Sequence, residues 1–202
     1  MGRIFYIMGK SATGKDHIYK ALLQDESLRL FPLVLYTTRP MRTGEEDGRE
    51  YFFVDEDRLA CMRAAGTIIE ERIYDTALGK WHYFTADEGQ IRLDERDYLG
   101  IGTLESYELL CSHFGSATLV PLYIETETGL RLERAMKREK KQDPPRYDEM
   151  CRRFLADEED FSEENLARAK IPWRIVNDTS LEDCIAEAKR KIDTIRREEE
   201  HA

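Results

Sequence analysis

The stretch that decides the fold runs over residues 4–16, Ile4-Phe5-Tyr6-Ile7-Met8-Gly9-Lys10-Ser11-Ala12-Thr13-Gly14-Lys15-Asp16. The continuous apolar run at residues 4–8 predicts a strand that is buried on both faces. A glycine turn follows at residues 9–14. Apolar side chains then recur at helical spacing, at Ile18, Tyr19, Leu22 and Leu23. A strand, a glycine turn and an amphipathic helix form the first half of a βαβ unit.

The turn matches the pattern GxxxxGK, which is typical of a phosphate-binding loop. Glycines let the backbone curl so that successive N–H groups surround a phosphate, and the following helix adds its positive N-terminal end. Lys15 can then reach the β- and γ-phosphates of a nucleotide and acts in catalysis. We therefore predict an ATP site at Gly9, Lys10, Ser11, Ala12, Thr13, Gly14, Lys15 and Asp16.

Asp16 stands where such loops usually carry a serine or threonine that binds Mg²⁺. A carboxylate is also a good ligand for this ion, so Asp16 is a candidate metal ligand. The alternative is that Asp16 only places a negative charge at the start of its helix.

The rest of the chain alternates between predicted strands and helices. Apolar runs predict strands at residues 31–36, 51–54, 98–101, 119–124 and 173–176. Helices are expected at 104–113, at 126–156 with a break near Asp143-Pro144-Pro145, and at the C-terminus. Thr179 and Glu182 are predicted to cap the last helix, whose apolar stripe is expected to pack in the core. This order predicts an α/β fold with a mainly parallel sheet that is covered on both sides.

Composition narrows the possible functions. The 202-residue chain has a net charge of −10, which argues against general nucleic-acid binding. No apolar run approaches the about 20 residues that a membrane span needs. The N-terminal residues are interpreted as a strand, not a signal peptide. The four cysteines are widely spaced, which fits a reducing cytoplasm and gives neither a zinc site nor a disulfide framework.

Charge is unevenly distributed along the chain. Residues 131–153 carry nine basic and five acidic side chains, a local excess of 9 − 5 = +4. The segment could attract a polyanionic small molecule, or it could be a solvated helix face.

A second cluster, at residues 37–54, reads Thr-Thr-Arg-Pro-Met-Arg-Thr-Gly-Glu-Glu-Asp-Gly-Arg-Glu-Tyr-Phe-Phe-Val. Arg39, Arg42 and Tyr51 offer donors that suit a phosphate monoester dianion. The stretch resembles the monophosphate-binding signature of guanylate kinases, TTRxxRxGExxGxxYxFV. With the glycine loop and with matches near the C-terminus, the resemblance extends over most of the chain.

The resemblance implies roles for further residues. Arg39, Arg42, Tyr51 and Tyr83 would hold the acceptor phosphate, with Arg39 also catalytic. Glu70 would accept hydrogen bonds from guanine, or Glu71 if the alignment slips by one residue, and Thr85 would lie near the base. The lid arginines of the family, which close over the transferring phosphoryl group, match Arg134, Arg138 and Arg153, and Asn177 matches the residue beside the adenine.

Three positions depart from the family pattern. Leu35 replaces a serine that reads the guanine oxygen, Gly100 and Gly102 replace both acids of an LDID element, and Phe84 replaces the glycine of a YYG element. The loop ending in Gly-Lys-Asp is also similar to that of ribose 1,5-bisphosphate phosphokinases.

These observations predict one P-loop kinase domain, with its core at residues 1–34, 88–130 and 166–202. Residues 35–87 would form an acceptor-binding subdomain and residues 131–165 a helical lid. We expect a cytoplasmic, Mg²⁺-dependent phosphotransferase that takes ATP and a phosphomonoester, GMP first, and binds neither nucleic acid nor membranes. The alternatives are a kinase for a sugar phosphate such as ribose 1,5-bisphosphate and a catalytically inactive guanylate-kinase-like binding module.

Overall fold

The structure, a computed structural model, describes residues 2–76 and 79–200. Met1, Ala77, Leu78, His201 and Ala202, which fall within the predicted core and acceptor segments, lie outside the described residues. The strands are β1 Ile4–Met8, β2 Leu30–Pro32, β3 Tyr36–Thr37, β4 Phe52–Phe53, β5 Ile68–Thr76, β6 Gly79–Ala86, β7 Asp97–Gly102, β8 Leu119–Glu125 and β9 Ile175–Val176. The α-helices are α1 Lys15–Gln24, α2 Glu56–Ala65, α3 Leu104–Phe114, α4 Thr128–Glu139, α5 Tyr147–Asp160, α6 Glu163–Arg168 and α7 Leu181–Glu200.

A five-stranded sheet in the order β2-β7-β1-β8-β9 forms the centre of the molecule. Its neighbouring strands all pair in parallel. All five residues of β1 are buried, as its continuous apolar run predicted. The predicted α/β fold with a parallel sheet flanked by helices is confirmed.

The two faces of the sheet carry separate parts of the core. Phe5 and Ile7 of β1 pack with residues of α1 and α7 on one face. Tyr6 and its neighbours Ile4 and Met8 pack on the other face, with α3 and α6. The stripe of α7, which includes Ala188 and Ile192, lies in the first of these clusters, so its predicted role in core packing is confirmed.

A second, four-stranded sheet has the order β4-β3-β6-β5. The single strand predicted over residues 31–36 is wrong: β2 belongs to the large sheet and β3 to the small one. An apolar run records burial but not which sheet the backbone joins. The hairpin of β5 and β6 and the helix α2 were not predicted, because polar side chains interrupt the apolar pattern of both.

Three boundaries refine the predictions. The long helix ends at Glu139 and restarts at Tyr147, so the predicted break around the two prolines is confirmed. The C-terminal helix is capped one residue later than predicted, since Ser180 Oγ accepts from Asp183 N at 3.0 Å. The last strand is limited to Ile175–Val176.

Candidate active site

The phosphate loop joins β1 to α1 and is held in shape by a neighbouring strand end. Gly14 lies in the left-handed region with φ 88°, directly before α1. A Cβ there would lie 2.6 Å from Asn177 Nδ2, so only glycine fits. Asn177 Nδ2 donates to the Thr13 carbonyl at 2.7 Å. The loop and the segment that follows β9 therefore pack directly against each other.

One pocket opens at the start of α1, and we call it the donor pocket. It is lined by Ala12, Gly14, Lys15, Asp16, His17, Arg134, Lys137, Arg138, Lys141, Asn177 and Leu181. Five of these residues are cationic and one is acidic. Of the predicted donor-side residues, Lys15, Asp16, Arg134, Arg138 and Asn177 thus meet in one cavity with a strong positive charge. The positive segment at residues 131–153 contributes four of the five cations to it.

Asn177 is nearly fully buried, and its backbone is fixed by Arg134, whose Nη1 donates to the Asn177 carbonyl at 3.0 Å. Its side-chain Oδ1 is buried and has no hydrogen-bond partner among the described residues. Leaving a buried acceptor unpaired costs about 1–3 kcal/mol. A ligand amino group in the donor pocket would remove this cost.

The opposite side of the loop contacts α5, which the sequence did not predict. Asp157 Oδ2 accepts from Ser11 N at 2.7 Å, and Glu158 Oε2 lies 2.5 Å from Lys10 Nζ. Arg131 is fully buried and pairs with both carboxylates. Lys10 and Ser11 were predicted to bind ATP. In the structure, the ammonium group of Lys10 and the backbone N–H of Ser11 instead contact carboxylates of α5.

Arg153, predicted as a lid arginine, lies on α5 away from the donor pocket. Its Nε is 3.5 Å from Glu149 Oε1 within the same helix, and the side chain is largely exposed. The structure therefore brings Arg134 and Arg138 to Lys15 but does not bring Arg153 there.

The second cluster of donors lies on the small sheet. Arg39 is buried and forms a two-pronged pair with Glu45, with Nη1 and Nη2 each 2.9 Å from a carboxylate oxygen. Its guanidinium lies 5.3 Å from the centre of the Tyr51 ring, and the rings of Tyr51 and Tyr83 are 5.6 Å apart. The side chain of Arg42 is exposed, while its backbone N–H donates to Glu45. Three predicted phosphate ligands, Arg39, Tyr51 and Tyr83, are thus neighbours.

The alternation of side chains along β5 separates Glu70 from Glu71. Glu70 pairs in register with Thr85, and Arg72 with Tyr83. A pocket on this face, which we call the acceptor pocket, is lined by Leu35, Tyr51, Arg72, Tyr74, Trp81, Tyr83 and Ile101. Glu71 points to the other face, where it contacts Arg63 of α2 and His82. The hydrogen bonds therefore put Glu70, not Glu71, on the face of the acceptor pocket.

Glu70 is buried in a complete set of hydrogen bonds. Its oxygens accept from Thr85 Oγ1 at 2.7 Å, from Ser106 Oγ at 3.3 Å and from Arg72 Nε at 3.1 Å. The predicted base-reading acid and Thr85 are therefore in direct contact. Ser106 and Arg72 complete the cluster, and neither was singled out in the sequence.

Tyr6 explains the glycines that depart from the family pattern. A Cβ at Gly100 would lie 2.6 Å from the Tyr6 ring, and one at Gly102 would lie 2.1 Å from its hydroxyl. The Tyr6 hydroxyl is buried, has no hydrogen-bond partner among the described residues, and burial raises its pKa. The Tyr6 ring thus fills the space that side chains at positions 100 and 102 of β7 would need. Phe84, the third departure, is fully buried against Tyr36 on the far face of the small sheet.

Comparison with known proteins agrees with this geometry. Residues 1–82 match the family model described as guanylate kinase. The resemblance to guanylate kinases is confirmed. A guanylate kinase of Alkalilimnicola ehrlichii is 37% identical over 108 residues, which cover 49% of this chain and 50% of that protein. One of Thiobacillus denitrificans is 33% identical over 136 residues, which cover 64% of this chain and 61% of that protein.

The matched stretches thus span about half the length of these guanylate kinases. A crystal structure of guanylate kinase from Anaplasma phagocytophilum aligns with 98% of this chain and 86% of its own, with a TM-score of 0.59 and 18% identity. That likeness extends the guanylate-kinase-like fold to the C-terminal half. Within the described residues, no helix is long and apolar enough to cross a membrane.

Proposed function

We propose that this protein transfers a phosphoryl group from ATP to GMP, yielding ADP and GDP. The observation that carries the proposal is the presence of two clusters of phosphate-type donors in one guanylate-kinase-like fold. One surrounds the phosphate loop, with Lys15, Arg134 and Arg138. The other is the group of Arg39, Tyr51 and Tyr83 on the small sheet.

The chain's own residues act by positioning and by neutralising charge, because phosphoryl transfer leaves a protein little covalent chemistry to do. Lys15 would hold the transferred phosphoryl oxygens, with Arg134 and Arg138 beside it. Arg39, Arg42, Tyr51 and Tyr83 would hold the acceptor phosphate, and Glu70 with Thr85 would lie near the base. Asn177, with its unpaired Oδ1, would accept from the adenine amino group. Arg153 would reach the phosphates only if α5 moved toward the donor pocket.

Asp16 suits a magnesium ion that is carried in with the nucleotide. It is exposed at the first turn of α1 and shares the donor pocket with Lys15. Among the described residues, no group of three or more His, Cys, Asp or Glu side chains could hold a metal ion. Mg²⁺ commonly takes one or two carboxylates plus substrate phosphates, so Asp16 fits as a single protein ligand. The bound ion would neutralise phosphate charge.

We further propose that residues 35–87 act as the acceptor-binding part and residues 131–165 as a lid. Closure of the lid would exclude water, which otherwise hydrolyses ATP. We place the protein in the cytoplasm, where both nucleotides occur.

An ADP-release assay with ATP, Mg²⁺ and a panel of acceptors tests the proposal. The panel contains GMP, AMP, CMP, UMP, ribose 5-phosphate and ribose 1,5-bisphosphate. We expect GMP to give the highest kcat/KM. A preference for a sugar phosphate would replace the proposed acceptor, and no turnover with any acceptor, together with intact ATP binding, would indicate a binding module.

A further inference from the structure

Arg72 occupies a position in the acceptor pocket that the sequence motifs did not assign. Its side chain is 18% exposed, whereas that of Glu70 behind it is 0% exposed. Arg72 lines the pocket together with Leu35, Tyr51 and Tyr83, and Glu70 does not. At this point of the wall the pocket therefore presents a cation, with the carboxylate hidden behind it.

Only one edge of the Arg72 guanidinium is used within the protein. Nε lies 3.1 Å and Nη2 lies 3.4 Å from the two oxygens of Glu70. A guanidinium carries five N–H donors in a fixed, planar fork. The other edge, formed by Nη1 and the second N–H of Nη2, has no hydrogen bond to any described residue. This free edge offers two parallel donors, which suit two adjacent acceptors.

Leu35 lines the same pocket and has no hydrogen-bonding group. The family's serine at this place, which donates to the guanine oxygen, is therefore missing. Guanine presents two adjacent acceptors, O6 and N7, and arginine that binds both is the commonest specific contact to this base. Adenine presents an amino donor where guanine has O6, so the same arginine would disfavour AMP.

We propose that Arg72 is a specificity-determining residue that donates to O6 and N7 of the acceptor guanine, in place of the hydroxyl that Leu35 lacks. Glu70 is the positioning residue of this arrangement. It holds the guanidinium by one edge, and its own oxygens are held by Thr85 and Ser106. This inference rests on the proposed function, since it concerns the base of the same acceptor.

The experiment compares two variants with three acceptors. Arg72→Met removes the donors and keeps an apolar stem, while Arg63→Met is the matched control, because Arg63 contacts Glu71 and His82 on the other face of the hairpin. The acceptors are GMP, 7-deaza-GMP, which lacks N7, and 2-aminopurine riboside monophosphate, which lacks O6.

In the wild type, each analogue should have a higher KM than GMP. Arg72→Met should raise the KM for GMP about 10- to 100-fold, the range expected for a guanine contact with two hydrogen bonds, and should abolish the difference between GMP and the analogues. The kcat should change less than KM. Arg63→Met should keep the wild-type order of the three acceptors.

Adding Leu35→Ser to Arg72→Met should restore part of the affinity for GMP and none for the analogue without O6. Equal losses on all three acceptors would show that Arg72 only neutralises Glu70, and would overturn the inference. If Arg72→Met does not fold, Arg72→Lys keeps the charge but not the fork, and undiminished O6 and N7 discrimination in that variant would also overturn it. Failure of the wild type to phosphorylate GMP would instead reject the proposed function.

Discussion

The donor pocket is lined by several cations and the acceptor pocket by one, Arg72, and the cations of the two regions differ in whether they are paired with a carboxylate. Arg39 and Arg72 on the acceptor side are each paired with a buried or half-buried carboxylate. Among the described residues, Lys15, Lys137, Arg138 and Lys141 of the donor pocket have no such pair. Unpaired cations repel one another and favour a polyanion, whereas paired arginines are already oriented. The donor side thus supplies charge, and the acceptor side supplies shape and selectivity.

The largest effect on activity should come from the donor pocket, whose cations have no carboxylate partner among the described residues. Lys15→Ala removes the counter-charge to the transferred phosphoryl group, and we expect kcat to fall about 100- to 1000-fold, the loss typical of one lost charge-stabilising donor. Steady-state kinetics measure this. Lys141→Ala, in the same pocket but off the loop, is the control and should lose much less. Near-normal turnover of Lys15→Ala would show that Lys15 does not stabilise the transferred phosphoryl group.

On the paired side, Arg39→Ala should raise the KM for the acceptor about 10- to 100-fold, since it removes charge-assisted hydrogen bonds to the phosphate. The affinity for ATP should stay within about twofold. Arg42→Ala should act in the same direction but less, because its side chain is exposed. A fall in ATP affinity without a change for the acceptor would reverse our assignment of the two pockets.

The packing of Gly102 against Tyr6 should affect stability through side-chain volume, not through charge. Gly102→Ala puts a Cβ onto the Tyr6 hydroxyl, and overpacking of this kind destabilises a core by about 1–3 kcal/mol. Tyr6→Phe removes that hydroxyl, so the double variant should recover part of the lost free energy of unfolding. Urea denaturation of the four proteins measures the coupling, and strictly additive effects would contradict the contact.

Substitutions of Asp16 test whether Mg²⁺ is needed to offset the repulsion between its carboxylate and the ATP phosphates. Asp16→Ala should raise the Mg²⁺ concentration for half-maximal rate severalfold, because a ligand is lost. Asp16→Ser should improve the binding of metal-free ATP, because the repulsion between Asp16 and the phosphates disappears. Titration of Mg²⁺ against the three proteins decides, and superimposable curves would mean that Asp16 only charges the start of α1.

The smallest expected effect is on stability at acidic pH, and it depends on Glu45. Hydrogen bonds from Arg39, and then from the Arg42 backbone, hold the pKa of Glu45 below its ordinary 4.5. The stabilisation is therefore complete above the ordinary pKa and is lost as the pH falls through the lowered one. Glu45→Gln should reduce the melting temperature at pH 7 slightly, and the difference from the wild type should vanish at low pH. Glu46→Gln, next to it and exposed, should show no such convergence.

The donor side and the acceptor side also differ in how well the sequence predicts their structure. The phosphate loop is contiguous, so its spacing alone located Lys15 and Asp16 where the turn after β1 leads into α1. The acceptor side is assembled from β3, β5, β6 and α3, and spacing could not reveal that Ser106 and Arg72 meet Glu70. The alternation of Glu70, Arg72 and Tyr74 along residues 68–76 was the available signal, but charged residues at these positions obscured the strand.

The contacts of Arg131 mark a second limit. The basic segment 131–153 was expected either to attract a polyanion or to form a solvated helix face, yet Arg131 is fully buried between Asp157 and Glu158. Its partners lie in the acidic run at residues 157–164, so opposite charges that are separate in the sequence pair across α4 and α5. Pairing of this kind depends on how two helices pack, and a single sequence does not specify it.

The position of the Tyr6 ring also makes the residues at positions 6, 100 and 102 depend on one another. An aspartate does not fit at Gly100 or Gly102 while the ring lies 2.6 Å and its hydroxyl 2.1 Å from where the first side-chain carbon would stand. Tyr6 would have to shrink first, and that step alone would leave a cavity in the centre of the molecule. Each single substitution at these three positions is therefore costly, so a larger residue at either glycine needs a smaller residue at position 6.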